Sequence, residues 1–198
     1  MMLEYMIHTP NIERAIHKAS LLHRKQVRKG ADELPYITHL FSVFVILAKY
    51  THDEDVLIGG LLHDTLEDTE YQGSDLENDF GPIVRKIVEG VTEPKKKDGI
   101  VMPWEDRKRA YVAGLQSSSR KSLMVSAADK IHNFQSIIDM YADKADNFKK
   151  DFTSADRLRF YENVVAVINH GLGEKEPIVT ELNIVFTRYR IFLEKVYT

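Results

Sequence analysis

The chain has no cysteine at all. Disulfides and thiolate metal ligands are therefore excluded, and any metal site must be built from nitrogen and oxygen donors. No apolar run reaches the length that spans a membrane. The N-terminal residues, Met-Met-Leu-Glu-Tyr-Met, lack the basic-then-apolar pattern of a secretory leader. Charge is close to balanced, with 27 basic and 30 acidic residues for a net of −3, so the basic footprint of a nucleic-acid binder is missing. Internal repeats, low-complexity tracts and interdomain linkers are also missing, and no segment alternates convincingly as a strand. These absences fit a cytoplasmic, all-α protein with neither a nucleic-acid nor a membrane partner.

What is present is an ordinary soluble composition, 43% hydrophobic and 29% charged over 198 residues. That length can bury one substantial core, so a single domain over residues 1–198 is expected. Helical periodicity places helices at roughly 10–26, 38–50, 53–65, 73–90, 103–116, 120–142, 154–171 and 177–197. Gly81-Pro82 should divide the fourth of these. Ile178, Leu182, Val185, Tyr189, Phe192 and Val196 form one apolar stripe, which either packs internally or makes a homodimer face. Residues 91–102, VTEPKKKDGIVM, read as a polar loop.

The most informative segment is LLHDTLEDTE at 61–70. His63 and Asp64 follow an apolar run, and Glu67 and Asp68 come just after. On a continuous helix, His63, Asp64 and Glu67 share one face. An imidazole and three carboxylates at the end of an apolar element are costly without compensation, and a divalent ion supplies it. Two other segments can join. Thr38 and the turn before it suit a helix start, with His39 in the first turn. Downstream, Ala127, Ile131, Phe134 and Ile138 make a buried stripe, leaving Asp129, Asn133 and Ser136 on another face. Three helices could bring His39, His63, Asp64 and Asp129 together, a set of two imidazoles and two carboxylates suited to manganese, iron or zinc.

The segments HRKQVRKGADELPYITH (23–39), LLHDTLEDTE (61–70) and SAADKIHNFQS (126–136) resemble the HD-domain phosphohydrolases. More narrowly, they resemble the alarmone hydrolases, meaning the hydrolase half of the RelA/SpoT enzymes and their stand-alone small relatives. The likeness runs from about residue 10 to about residue 140. One departure is Leu40, where the family usually has proline after the first metal histidine. The resemblance implies a single-domain HD-type helical bundle. Its metal-site helices would cover about 10–142 and less specific helices 150–198. It implies one divalent ion, manganese, held by His39, His63, Asp64 and Asp129. Glu67 and Asp68 take the water-activating role, and Arg28, Lys29 and Asn133 meet the nucleotide. The reaction implied is hydrolysis of guanosine 3′,5′-bis(diphosphate) to GDP and pyrophosphate. With no room for a synthetase half in the remaining residues, hydrolysis alone is expected. Two alternatives stand beside it: an HD nucleotidase or pyrophosphohydrolase acting on another nucleotide, and a catalytically silent nucleotide-binding module.

By default, Lys95, Lys96 and Lys97 read as a solvated loop, and so does the Arg107-Lys108-Arg109 cluster. Trp104 should pack at a helix start, and His132 lies beside the active face.

Overall fold

The computed structural model describes residues 8–30, 34–97, 99–152 and 157–197. Ten helices and one small hairpin are present among them. The helices are α1 (Pro10–Leu22), α2 (Ile37–Ala48), α3 (Glu54–Leu62), α4 (Thr65–Asp68), α5 (Gly73–Glu89), α6 (Trp104–Gln116), α7 (Arg120–Tyr141), α8 (Ala145–Asp151), α9 (Arg157–Leu172) and α10 (Pro177–Tyr197). The hairpin pairs β1 (Lys96–Lys97) with β2 (Ile100–Val101), antiparallel.

Local chemistry starts most of these helices. Thr9 caps α1, accepting from the Ile12 amide at 3.2 Å, and Pro10 takes the first helical position. Asp53 caps α3, accepting from the amides of Asp55 and Val56 at 3.1 and 3.3 Å. Gln72 and Asp75 form a capping box for α5, and Ser119 caps α7. The expected break in α5 falls at Gly81, whose φ of 87° only glycine adopts cheaply, with Pro82 opening the next turn.

Several boundaries differ from the sequence reading. The first helix stops at Leu22, not 26, because the chain turns back on itself. The Arg28 amide donates to the Leu34 carbonyl at 2.8 Å, and the Tyr36 amide to the Gln26 carbonyl at 2.9 Å. Thr38 is not a cap: it lies inside α2, its hydroxyl donating to the Pro35 carbonyl at 2.8 Å. The helix expected over 53–65 ends at Leu62, and His63-Asp64 form a turn before α4. The hairpin stands where a loop was expected. Helix α8 was not foreseen. The start expected for α9, at 154, lies outside the described residues.

Helix α3 is the innermost element. Every residue from Val56 to Leu62 is buried, enclosed by α1, α2, α5 and α7. Gly59 and Gly60 permit this closeness. A Cβ on Gly59 would run into Ile87 Cγ2 of α5, and one on Gly60 into Leu47 Cδ1 of α2. Helix α7 is the other spine, packing on α2 and α3 on one side and on α9 and α10 on the other. All six residues of the α10 stripe are buried within the chain. On α7 it is Ile137, not Ile138, that continues the buried row after Phe134.

Candidate metal centre and active site

The four expected ligands come from three elements and meet in a pocket of about 160 Å³. His39 lies in the first turn of α2. His63 and Asp64 occupy the turn ending α3. Asp129 lies at mid-length in α7. His39 Nε2 is 3.2 Å from Asp129 Oδ1 and 3.5 Å from Asp64 Oδ2. His63 Nε2 is 3.0 Å from Asp64 Oδ2 and 3.7 Å from Asp129 Oδ1. His39, His63 and Asp129 are all buried and each offers one donor atom, all within 4.8 Å of one another. Because His63 sits in a turn, it is the turn, and not a shared helical face, that aims both side chains inward.

The donor atoms suit a cation. His63 Nδ1–H donates to the Gly60 carbonyl at 2.9 Å, which turns its Nε2 to the carboxylates, 3.0 Å from Asp64 Oδ2 but out of line for a hydrogen bond. His39 Nδ1 lies 2.7 Å from His132 Nδ1. Burial first, then the neighbouring His39 and Arg28, pushes the His132 pKa down to about 3. A neutral His132 can accept from His39 Nδ1–H, leaving His39 Nε2 free as a donor atom. Burial alone would keep Asp64 and Asp129 protonated. At Asp64 the charge and hydrogen bonds of His63 and His39 outweigh it, and at Asp129 Lys130 does so first and the two imidazoles after it, so both carboxyls are held well below the usual range. The two carboxylates in turn hold the His63 pKa well above its ordinary value, so a cation bound there would take the place of a proton. Two carboxylates with two imidazoles turned towards them by their Nε2 atoms can hold a divalent ion.

Three supporting residues were not singled out in the sequence. Tyr36 donates its hydroxyl to Asp64 Oδ2 at 2.6 Å and stacks on buried His23, with ring centres 5.3 Å apart. An aromatic residue three positions before His39 was the available signal. Lys130 donates to Asp129 Oδ2 at 2.5 Å and lies over the Tyr111 ring. A lysine inside an apolar helical run was its signal. Glu93 is buried and lines the same pocket. Nothing in its own neighbourhood of sequence marks it.

The remaining expected residues divide. Glu67 and Asp68 line the pocket. Glu67 Oε2 accepts from the Glu93 amide at 3.1 Å, and Lys95 donates to Asp68 Oδ1 at 2.8 Å. Burial, followed by the charge of Asp64, raises the Glu67 pKa against the opposing pull of the Glu93 amide. Asn133 donates to Asp129 Oδ1 at 2.5 Å and accepts from Arg28 at 3.1 Å. Arg28 also lies 5.5 Å over the Tyr36 ring, so it borders the site. Lys29 does not join it. That side chain lies over Phe152 and donates to the Asp151 carbonyl at the end of α8. Nor are all the basic clusters solvated. Lys95 bonds back to α4, and Arg107 and Lys108 pair with Glu93, while Arg109 is exposed. Trp104 packs edge-on against Phe160.

An all-helical bundle with a buried imidazole–carboxylate cluster beside two further acids defines a class of metal-dependent hydrolytic sites. The sequence places the chain within that class more closely: it matches the HD domain family over residues 15–154 and belongs to it. It is 42% identical over 127 residues to a GTP pyrophosphokinase of Streptomyces coelicolor, covering 64% of this chain but 14% of that protein. It is 37% identical over 128 residues to the guanosine-3′,5′-bis(diphosphate) 3′-pyrophosphohydrolase MESH1 of Xenopus tropicalis, covering 64% of this chain and 69% of that one. Among solved structures, a metazoan ortholog of SpoT that hydrolyses ppGpp aligns with a TM-score of 0.74 at 26% identity. That alignment covers 91% of this chain and 96% of the other. The chain thus spans about a seventh of the large bacterial relative and most of the small hydrolase.

Proposed function

We propose that the protein hydrolyses guanosine 3′,5′-bis(diphosphate) to GDP and pyrophosphate, with manganese as the ion and residues 1–198 acting as one cytoplasmic unit. The observation that carries the reading is the meeting of His63 Nε2 with Asp64 and Asp129, at 3.0 and 3.7 Å, in the pocket that Glu67 and Asp68 also line. His39, His63, Asp64 and Asp129 would hold the ion. Bound there, it polarises a phosphoryl oxygen and lowers the pKa of water.

The chain's own groups do the rest. Glu67 accepts the proton of the attacking water. Water oxygen bonds to the phosphorus attached to the ribose 3′ oxygen, that phosphorus–oxygen bond breaks, and the 3′ oxygen leaves with a proton. Asp68, tied to Lys95, sits beside Glu67 as its helper. At about 160 Å³ the pocket falls below the usual ligand-cavity range of about 300–1,000 Å³, so it suits the diphosphate while the nucleoside lies outside it. Tyr36 lines the pocket, and Arg28, over its ring, offers a planar donor fork to the part of the nucleotide outside. The similarity to the small hydrolases supports the choice of substrate.

The test is product analysis with manganese present. GDP and pyrophosphate should form in equal amounts, without early orthophosphate. Early orthophosphate would point to another HD phosphatase, and turnover of other nucleotides alone to a different substrate class. Binding without turnover of any would leave a silent sensor.

A further inference from the structure

Glu93 follows α5 in the stretch that leads to the hairpin, and its side chain is only 8% exposed. Among the described residues it is, with Asp129, one of two acidic residues that count as buried. Both carboxylate oxygens are engaged by α6. Lys108 donates to Oε2, and Arg107 Nη1 lies 3.4 Å from Oε1. Lys108 is itself held by packing, its ammonium 4.9 Å from the centre of the Phe160 ring and 5.9 Å from that of Trp104. The loop is therefore pinned at Glu93 by a paired, largely desolvated ion cluster. From that fixed point the Glu93 amide donates to Glu67 Oε2 at 3.1 Å. The other oxygen, Oε1, has Lys95 at 3.6 Å.

We propose that Glu93 is a positioning residue for the hydrolysis. Its carboxylate, clamped by Arg107 and Lys108, holds its own amide on Oε2 of Glu67 and thereby fixes the direction of Oε1, the oxygen that takes the proton. The proposal rests on Glu67 being the base. The clamp acts on chemistry and not on substrate binding, since Glu93 reaches the reacting groups only through Glu67. A plain anchor between α6 and the loop would weaken the whole molecule without singling out Glu67.

A double-mutant cycle separates these roles. Glu93→Gln keeps the shape and removes the charge that the two cations require. It should lower kcat on the order of 10-fold to 10²-fold, the scale of a misplaced catalytic group, with KM within about two-fold of wild type. In a Glu67→Gln background the same change should lower kcat by less than about two-fold, because no proton acceptor is left to aim. Arg107→Gln, which removes one arm of the clamp and leaves Lys108, should repeat the pattern in weaker form and serves if Glu93→Gln does not fold. Equal losses in both backgrounds, or a loss carried by KM, would overturn the clamp while leaving the base assignment intact. If Glu67→Gln alone leaves kcat unchanged, the base assignment fails first, and the clamp fails with it.

Discussion

Helix α7 presents two regions to compare. On one side Asp129, Lys130 and Asn133 face His39 of α2, His63 of the turn after α3 and the Arg28 loop. On the other, Phe134 stacks on Tyr189 of α10 with ring centres 4.7 Å apart, and meets Tyr161 and Phe186 at 4.9 and 5.2 Å. The aromatic side is stabilised by apolar burial and ring contacts. The polar side brings carboxylates, imidazoles and an ammonium out of water, and it is satisfied only when partners and charges are matched in full. One region should therefore control stability with little effect on chemistry, and the other chemistry with little effect on the fold.

The strongest test of that division is Asp129→Asn. It keeps the side-chain size but removes a negative charge from between the two imidazoles, so metal binding and turnover should be lost while circular dichroism keeps its helical signal. Metal retained at the wild-type level would sink the assignment of Asp129. Next comes Glu67→Gln, which should leave metal content near normal and lower kcat by a factor on the order of 10²–10⁴. If Glu67 is the base, it should also set the pH response. Its carboxyl must be ionised to accept a proton, and its pKa is raised, chiefly by burial. Wild-type kcat should therefore fall as pH drops, beginning above the ordinary glutamate range, and stopped-flow profiles should lose that limb in Glu67→Gln.

Phe134→Ala probes the opposite side. Removing a fully buried ring from an aromatic cluster should cost about 3–5 kcal/mol in denaturant unfolding. Metal affinity of the folded fraction should stay within a few-fold, and a large loss would mean the two sides are coupled. The smallest effect expected is at Arg28. Arg28→Ala should raise KM for guanosine tetraphosphate several-fold and leave an aryl phosphate nearly unaffected. Equal effects on both substrates would reduce Arg28 to a support for Asn133 and Ser136.

The same comparison explains what could be read from the sequence. The helices of the aromatic side announce themselves by spacing alone: Ile178 through Val196 repeat so regularly that the buried face of α10 is plain. The candidate metal ligands are legible by type and order, since His39 opens one apolar run and His63-Asp64 and Asp129 each close another. What escapes is the relation between distant segments. Glu93 reaches Glu67 across 26 positions through a backbone amide, which no residue type encodes. Lys29 sits beside Arg28 in sequence, yet the loop turns it towards α8. Helix α8 is too short to show a period. The hairpin carried a signal that a polar-loop reading passes over, an Asp-Gly pair between Lys97 and Ile100, with Gly99 at φ 80°.

The enclosure of α3 has a consequence in time. A helix with one wet side can open locally and close again, releasing its amides to exchange long before the molecule unfolds. The stretch from Val56 to Leu62 has no such side, and Gly59 and Gly60 seat its backbone directly on α5 and α2. Its amides can meet solvent only when the surrounding helices part, so their exchange should track global unfolding. The turn bearing His63 and Asp64 is thus attached to a segment with no solvent-facing side, and the two candidate ligands should hold their places for as long as the protein itself stays folded.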